Sequence, residues 1–153
     1  MTSTMQQRLA QAEQLCRIKG ARLTPVRKKI LEMIYEHGPA EQLTAYELLR
    51  RLRLSQPTAE AMTIYRGLDF LQQQGFIHRI ATQNAYVVCD MPQHQHLTQL
   101  LLCEKCGQAQ EIHALPLIKT IKQTLKEHDF YLSDEKPLEI LGLCKSCFDL
   151  AKP

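Results

Sequence analysis

The chain of 153 residues lacks several features that mark particular classes of protein. Its longest apolar run is only a few residues, far short of the roughly 20 that a membrane-spanning helix needs. Residues 1–16 contain no apolar segment of the signal-peptide kind, so we expect a cytoplasmic protein with no membrane partner. No internal repeat or low-complexity tract is present, and the length fits one ordinary domain or two small ones.

Arginine is missing from the C-terminal part of the chain, because every arginine lies at or before Arg79. Residues 1–91 carry 12 lysines and arginines against 8 acidic residues, whereas residues 92–153 carry 7 against 8. The guanidinium group is a planar donor suited to phosphates and guanine edges. The basic, arginine-rich first part therefore favours nucleic acid as a partner, although an ordinary solvated surface has the same composition.

Apolar residues recur at helical spacing up to about residue 90. The predicted helices cover 4–19, 24–38, a segment that starts at a Thr44/Glu47 capping box, and 57–74. Alternating runs at 76–80 and 85–89 predict a β-hairpin. The last three of these helices and the hairpin make a winged helix-turn-helix, so we predict that residues 1–89 form a winged-helix DNA-binding domain.

The pattern changes in the second part of the chain. Strand-like runs at 98–102, 108–113 and 138–143 flank a predicted helix at 115–128, which indicates a small α/β domain over residues 96–153. The polar, proline-bearing stretch "DMPQHQ" at 90–95 is the predicted hinge. The predicted fold class is α+β.

The last helix of the first part has the character of a DNA-reading helix. At 100° per residue its apolar side chains share one face, namely Ala61, Ile64, Leu68 and Leu71. Arg66 lies on the opposite face with Met62, Asp69 and Gln73, and Tyr65 flanks it. Arg66 is placed to reach guanine, and Tyr46 to contact a phosphate or a thymine methyl group. Gly67 weakens the helix, and a close approach to DNA is one explanation. An amphipathic helix with a solvated arginine has the same spacing.

Two cysteine pairs carry the strongest chemical signal in the chain. Cys103-x2-Cys106 is matched by Cys144-x2-Cys147, and two such pairs can hold one Zn²⁺ tetrahedrally in a structural four-cysteine clip. A thiol oxidoreductase needs only one CxxC pair and leaves the second unexplained. A zinc hydrolase is disfavoured because the chain has no HExxH motif. We therefore expect a protein that is not an enzyme.

A second group of potential metal ligands surrounds the hinge. His78 and Cys89 lie on opposite strands of the hairpin, His96 follows the hinge, and Glu111 offers a carboxylate. Such a set suits tetrahedral zinc, with His94 as a neighbour of His96. Surface histidines and a buried Cys89 that only packs would give the same sequence. Cys16 falls at core spacing in the first helix.

These residues together resemble the ferric uptake regulator family, most closely its zinc uptake regulator branch. The resemblance spans about residues 8–148. It rests on both cysteine pairs and on the stretches "RLTPVRKKIL" (22–31), "TAYELLRRL" (44–52), "TIYRGLDFLQQQGFIHRI" (63–80) and "NAYVVCD" (84–90). A cysteine in the wing is typical of the zinc branch. Gly67 departs from the family pattern, in which alanine or a bulkier residue is usual.

The resemblance implies a dimeric, metal-dependent transcriptional repressor in which residues 96–153 dimerise and bind metal. It implies two Zn²⁺ per chain. Cys103, Cys106, Cys144 and Cys147 would hold a structural zinc, and His78, Cys89, His96 and Glu111 a regulatory one. The implied DNA contacts are Tyr46, Tyr65 and Arg66, on a pseudo-palindromic double-stranded operator bound by one or two homodimers. The regulated genes would be those of zinc uptake. Iron-, manganese- and peroxide-sensing members are the alternatives.

Overall fold

The computed structural model describes residues 4–38, 41–92 and 97–152. The chain separates into two compact units, Met1–His94 (unit 1) and Gln95–Pro153 (unit 2), and both combine helices with a sheet. The α+β fold class is thus confirmed. The longest helix has 14 residues, and none of the helices in the described ranges is long and apolar enough to cross a bilayer.

In the described residues unit 1 contains four helices, and local sequence signals mark the start of two of them. They are α1 (Met5–Ile18), α2 (Pro25–His37), α3 (Ala45–Ser55) and α4 (Ala61–Gln73). The side chain of Thr24 caps α2, with Pro25 at the first helical position. Thr44 and Glu47 form the predicted capping box of α3, in which each side chain accepts from the other residue's backbone N–H. The observed helices α1, α2 and α3 lie within a few residues of their predicted positions.

A three-stranded antiparallel sheet completes unit 1. Strands β2 (Ile77–Ile80) and β3 (Ala85–Val88) form the predicted hairpin, and β1 (Leu43–Thr44) pairs with the other edge of β3. The sequence did not predict β1, because two residues carry no alternation and are strand only through pairing with β3. Together with α2, α3 and α4 the hairpin makes a winged helix-turn-helix.

The prediction for α4 needs two corrections. The helix begins at Ala61 rather than at Pro57–Thr58, which form a turn before it. Ala61 was also assigned to the apolar face, but it is exposed, since it lies in the first turn beyond the reach of the core. The buried face of α4 consists of Ile64, Gly67, Leu68 and Leu71.

Gly67 faces the core, so the suggestion that it lets DNA approach is wrong. It is buried on the side of α4 that packs against α2. A Cβ built at Gly67 would overlap the Cδ1 atom of Ile30, which is itself fully buried. Glycine at this position therefore permits the close approach of two helices, which offsets its weak helix propensity.

Unit 2 is a mixed sheet with two helices. Its elements are β4 (Gln99–Cys103), β5 (Ala109–Ile112), α5 (Leu115–Lys126), β6 (Leu138–Gly142) and α6 (Lys145–Ala151). The strand order is β5-β4-β6, with β4 antiparallel to β5 and parallel to β6. The predicted strands and α5 are confirmed, whereas α6 was missed because seven residues are too few for a helical period to stand out.

Candidate metal and nucleic-acid sites

Unit 2 brings the two CxxC pairs into one cluster. The sulfur atoms of Cys103, Cys106, Cys144 and Cys147 all lie within 4.8 Å of one another. The Sγ atoms of Cys106 and Cys144 are 3.8 Å apart, and all four cysteines are free thiols rather than disulfides. A tetrahedron with metal–sulfur bonds of about 2.3 Å has sulfur–sulfur edges of about 3.8 Å. The spacing of these thiols therefore fits a tetrahedral zinc ion.

The backbone explains how residues so distant in sequence meet. In the parallel pairing of β4 with β6, Cys103 lies opposite Gly142, two residues before Cys144. After Cys103 the chain turns back, with Gly107 at φ 75° and its N–H donating to the Cys103 carbonyl at 2.9 Å. Cys144 immediately precedes α6, and Cys147 lies in its first turn. The parallel strand pair and one tight turn thus assemble the cluster.

Two of the four thiols, those of Cys103 and Cys147, have pKa values shifted in opposite directions. Backbone N–H groups of Cys144 and Cys106 donate to the Cys103 sulfur and lower the pKa of this thiol to about 6. Cys147 donates to its neighbours, first to Cys144, and this raises the pKa of its thiol to about 12. Four sulfurs this close share protons because adjacent thiolates repel one another. All four can be thiolates only beside a cation, and zinc is the soft, tetrahedral dication that such a donor set prefers.

Three of the four residues predicted for the regulatory site lie within the described ranges. His78 lies on β2, and Cys89 follows β3, where its N–H donates to the Phe76 carbonyl at 2.9 Å. Their ligand atoms lie within 4.8 Å of each other across the hairpin. Glu111 lies on β5 of unit 2, where an Oε1 to Nε2 distance of 4.0 Å separates it from His113. His96 and its neighbour His94 lie outside the described residues.

The surroundings of Cys89 include a residue that the sequence analysis did not single out. Tyr35 of α2 is buried, and burial raises the pKa of its hydroxyl, an effect that Arg8 opposes and nearby Cys89 reinforces. The guanidinium carbon of Arg8 lies 4.0 Å from the centre of the Tyr35 ring. Helix α1 therefore covers the tyrosine beside the candidate ligand. No local sequence motif reveals this arrangement, because Arg8, Tyr35 and Cys89 belong to three separate parts of the chain.

The predicted DNA-contacting residues of unit 1 are all exposed. Tyr46, in the first turn of α3, is 76% exposed, and Tyr65 of α4 is 46% exposed. Arg66 is exposed on the side of α4 opposite the buried face. An aromatic ring and a guanidinium group on the second helix of a helix-turn-helix match the groups that read base edges.

Other arginines of unit 1 support its fold. The guanidinium carbon of Arg27 lies 3.8 Å from the centre of the Phe70 ring on α4. Nη1 of Arg27 also donates to the Arg22 carbonyl at 2.9 Å. Arg53 donates through Nε to the Ala59 carbonyl at 3.0 Å, in the turn before α4. The composition alone therefore overstates how much of the arginine content can serve DNA binding.

The hairpin and α4 are in contact within unit 1. Tyr86 of β3 is buried, and burial raises the pKa of its hydroxyl. Asp69 and Tyr65 of α4 lie near enough to act on the same hydroxyl group, as does Arg79 of β2. The hairpin that carries His78 and Cys89 thus adjoins the helix that carries Arg66.

Comparison with known proteins agrees with this architecture. The model of the ferric uptake regulator family matches residues 18–139. The zinc uptake regulation protein of Escherichia coli (strain K12) is 35% identical over 149 residues, covering 97% of this chain and 85% of that protein. The peroxide-responsive repressor PerR of Staphylococcus saprophyticus is 30% identical and covers 95% of each chain.

A solved structure gives the same result in three dimensions. A zinc uptake regulator complexed with zinc and DNA aligns with a TM-score of 0.84 at 33% identity, covering 97% of this chain and 98% of that one. The family model spans most of the chain, and the E. coli relative aligns over nearly all of it. The chain therefore belongs to the ferric uptake regulator family.

Proposed function

We propose that the protein is a zinc-sensing, DNA-binding transcriptional repressor of zinc-uptake genes. It acts in the cytoplasm as a homodimer, with one or two dimers on a pseudo-palindromic operator. Residues 1–89 are the DNA-binding domain, residues 90–95 the hinge, and residues 96–153 the dimerisation and metal-binding domain. The observation that carries the proposal is the His78–Cys89 pair on a hairpin that adjoins the Arg66-bearing helix.

The chemistry of this pair supports zinc as the signal. Thiolate and imidazole ligands suit zinc, whereas manganese prefers carboxylate and carbonyl oxygen. The proposed regulatory set adds His96 and Glu111, on the family resemblance and on the ligand preferences of zinc. When bound there, the ion would supply charge and fixed ligand directions, and the chain's own hairpin would be held in one conformation.

The four-cysteine cluster has a separate, structural role in this proposal. Cys103, Cys106, Cys144 and Cys147 hold a zinc ion that stays bound while the regulatory site exchanges, so a chain carries two zinc ions when saturated. A thiol oxidoreductase would need one pair open to disulfide exchange. The proximity of both pairs favours a clip instead.

Metal and operator must strengthen each other's binding by the same factor, because linkage is reciprocal. A typical coupling of about 1–3 kcal/mol per site corresponds to roughly 5–150-fold in affinity. In unit 1, the packing of α4 against β2, the strand that carries His78, offers a short path for this coupling.

Zinc content and DNA binding, measured together on the full chain, test the proposal. We expect about two zinc ions per chain, falling to about one after a mild chelator, with operator affinity falling in parallel. Cys89→Ser should abolish the response of DNA binding to zinc while one tightly held ion remains. Cys16→Ser, a matched change at a buried cysteine of α1, should leave both readouts intact. A zinc response that survives in Cys89→Ser would refute the regulatory site.

A further inference from the structure

Met62 is a large apolar side chain that the fold of unit 1 does not use. It lies in the first turn of α4 and is 55% exposed. Within the described residues it belongs neither to the core cluster nor to the partly buried residues packed against that cluster. Core packing therefore gives no reason for methionine at this position.

Helix geometry places Met62 beside the proposed DNA contacts. It precedes Arg66 by four residues, which is about 6 Å along the helix axis. At 100° per residue its direction lies about 40° from that of Arg66 and about 60° from that of Tyr65. A surface that receives Tyr65 and Arg66 must therefore also meet Met62.

The charges on this face favour contact with bases over contact with phosphates. Arg66 is the only lysine or arginine in α4. Asp69 is exposed on the same side, and phosphates would repel its carboxylate. A face with one cation, one anion, an aromatic ring and a methionine suits the mixed polar and apolar edges of base pairs.

The chemistry of the major groove narrows what Met62 can recognise. Methionine donates no hydrogen bond, and its thioether is only a weak acceptor, so it contributes mainly by apolar contact. Base edges in the major groove are donors and acceptors, apart from the C5-methyl group of thymine. The N-terminal residues of the second helix of a helix-turn-helix are those that meet base edges.

We propose that Met62 is a specificity-determining residue that contacts the C5-methyl group of one thymine in each operator half-site. This inference rests on the proposed function, since it requires zinc-dependent operator binding. It adds a thymine preference to the recognition that Tyr65 and Arg66 provide. The preferred thymine lies close to the base pair that Arg66 reads.

Replacing single thymines by uracil tests the contact, because this removes only the methyl group and keeps base pairing. The zinc-loaded full chain first selects its operator from a random duplex library. Uracil is then introduced at one thymine at a time. We expect the wild-type chain to lose about three- to fivefold in affinity at one thymine per half-site, as for one buried methyl group. Met62→Ala should bind the thymine and uracil duplexes equally at that position.

Two variants serve as controls. Leu54→Ala removes an apolar side chain that is 86% exposed near the C-terminal end of α3. This variant should lose the same affinity as the wild-type chain at each uracil substitution. Met62→Leu keeps an apolar side chain and should retain part of the thymine preference. If Met62→Ala selects the same operator and shows the wild-type uracil sensitivity, the inference is wrong while the proposed function stands. If the wild-type chain selects no sequence in zinc, both are refuted.

Discussion

The two units of the chain bury apolar surface to very different extents. The core of unit 1 draws buried side chains from all four helices and all three strands. Among the described residues of unit 2, the buried aliphatic ones are Leu100, Leu102, Ala109 and Ile118, and Ile118 is the only buried residue of α5. Large apolar side chains are instead exposed there, including Phe130, Tyr131, Phe148 and Leu150.

This difference separates two ways of stabilising a small domain. A unit of about 60 residues with a thin core is marginal unless a metal, a disulfide or a partner adds to it. Unit 2 has the four-thiol cluster, and its exposed apolar side chains suit the dimer contact of the proposed function. Unit 1 has a core sufficient for its fold. We therefore expect unit 1 to fold independently of metal and unit 2 to depend on it.

Breaking the clip should have the largest effect. Cys103→Ser removes the thiol whose pKa is lowered to about 6 and leaves three of the four sulfurs. Structural zinc contributes about 10–16 kcal/mol in small zinc-finger peptides, so its loss should unfold unit 2. Hydrogen exchange followed by mass spectrometry should show β4, β5 and β6 losing protection while α2 and α4 keep theirs.

Cys16→Ala is the matched control for this experiment. It also removes a buried thiol, but from the core of unit 1, and should leave zinc content and the protection of unit 2 unchanged. If both units of the Cys103→Ser variant lost protection from hydrogen exchange, the independence of unit 1 would be contradicted.

A substitution in the core of unit 1 should destabilise unit 1 and leave unit 2 intact. Leu68→Ala empties a fully buried position on α4 and should cost about 2–5 kcal/mol of unit 1 stability. The zinc ion proposed for unit 2 should remain, because its four proposed ligands lie in that unit. Urea unfolding and zinc content, measured on the same samples, give both results. Loss of the clip zinc in folded Leu68→Ala would show that the units are not separate.

The sequence predicted well those features that depend on residues close together in the chain or on a recognisable spacing. The caps at Thr24 and Thr44 set helix starts through one and two local backbone hydrogen bonds, respectively, and the cysteine spacing indicated the cluster without any knowledge of the strands. The sequence did not predict those features that depend on a partner far away along the chain. Strand β1 exists only through its pairing with β3, and the contact of Arg8 with Tyr35 joins α1 to α2.

Gly67 shows why residue type alone can mislead. In the sequence it is a weak point in a helix that faces DNA, and proximity to DNA is a natural explanation. In the structure it lies on the buried side, against Ile30. Helical spacing at 100° per residue places residue 67 about 60° from Ile64 and about 40° from Leu71, but a glycine has no side chain to mark the face it occupies.

A third prediction follows from this close approach within unit 1. Gly67→Ala improves helix propensity by about 1 kcal/mol, yet its Cβ would overlap Ile30 Cδ1 in a fully buried site. Overpacking of this kind typically costs about 1–3 kcal/mol, so we expect net destabilisation by urea unfolding. Ile30→Val removes the overlapping atom and should restore stability when combined with Gly67→Ala. Equal destabilisation in the single and double variants would contradict this packing.

The smallest predicted effect distinguishes how the two units respond to acid. In unit 2, acid should protonate the thiolates that would hold the proposed zinc ion. In unit 1, the Thr44 N–H donates to the Glu47 carboxylate at 2.7 Å and lowers its pKa from 4.5. A lowered pKa means that the ionised carboxylate stabilises the fold above pH 4.5, and that this contribution disappears as the pH falls through the folded-state pKa.

Glu47→Gln removes this titration but keeps an oxygen that can accept from the Thr44 N–H. At pH 7 the variant should be less stable than the wild type by roughly 0.5–1 kcal/mol, the usual scale for a charge near a helix N-terminus. The difference should shrink below pH 4.5, because the wild-type carboxyl then also becomes neutral. Urea unfolding of both proteins at each pH measures it, and groups common to both proteins cancel. A difference that stays constant from pH 7 to pH 3 would mean that the cap of α3 depends on hydrogen-bond geometry alone and that charge adds nothing.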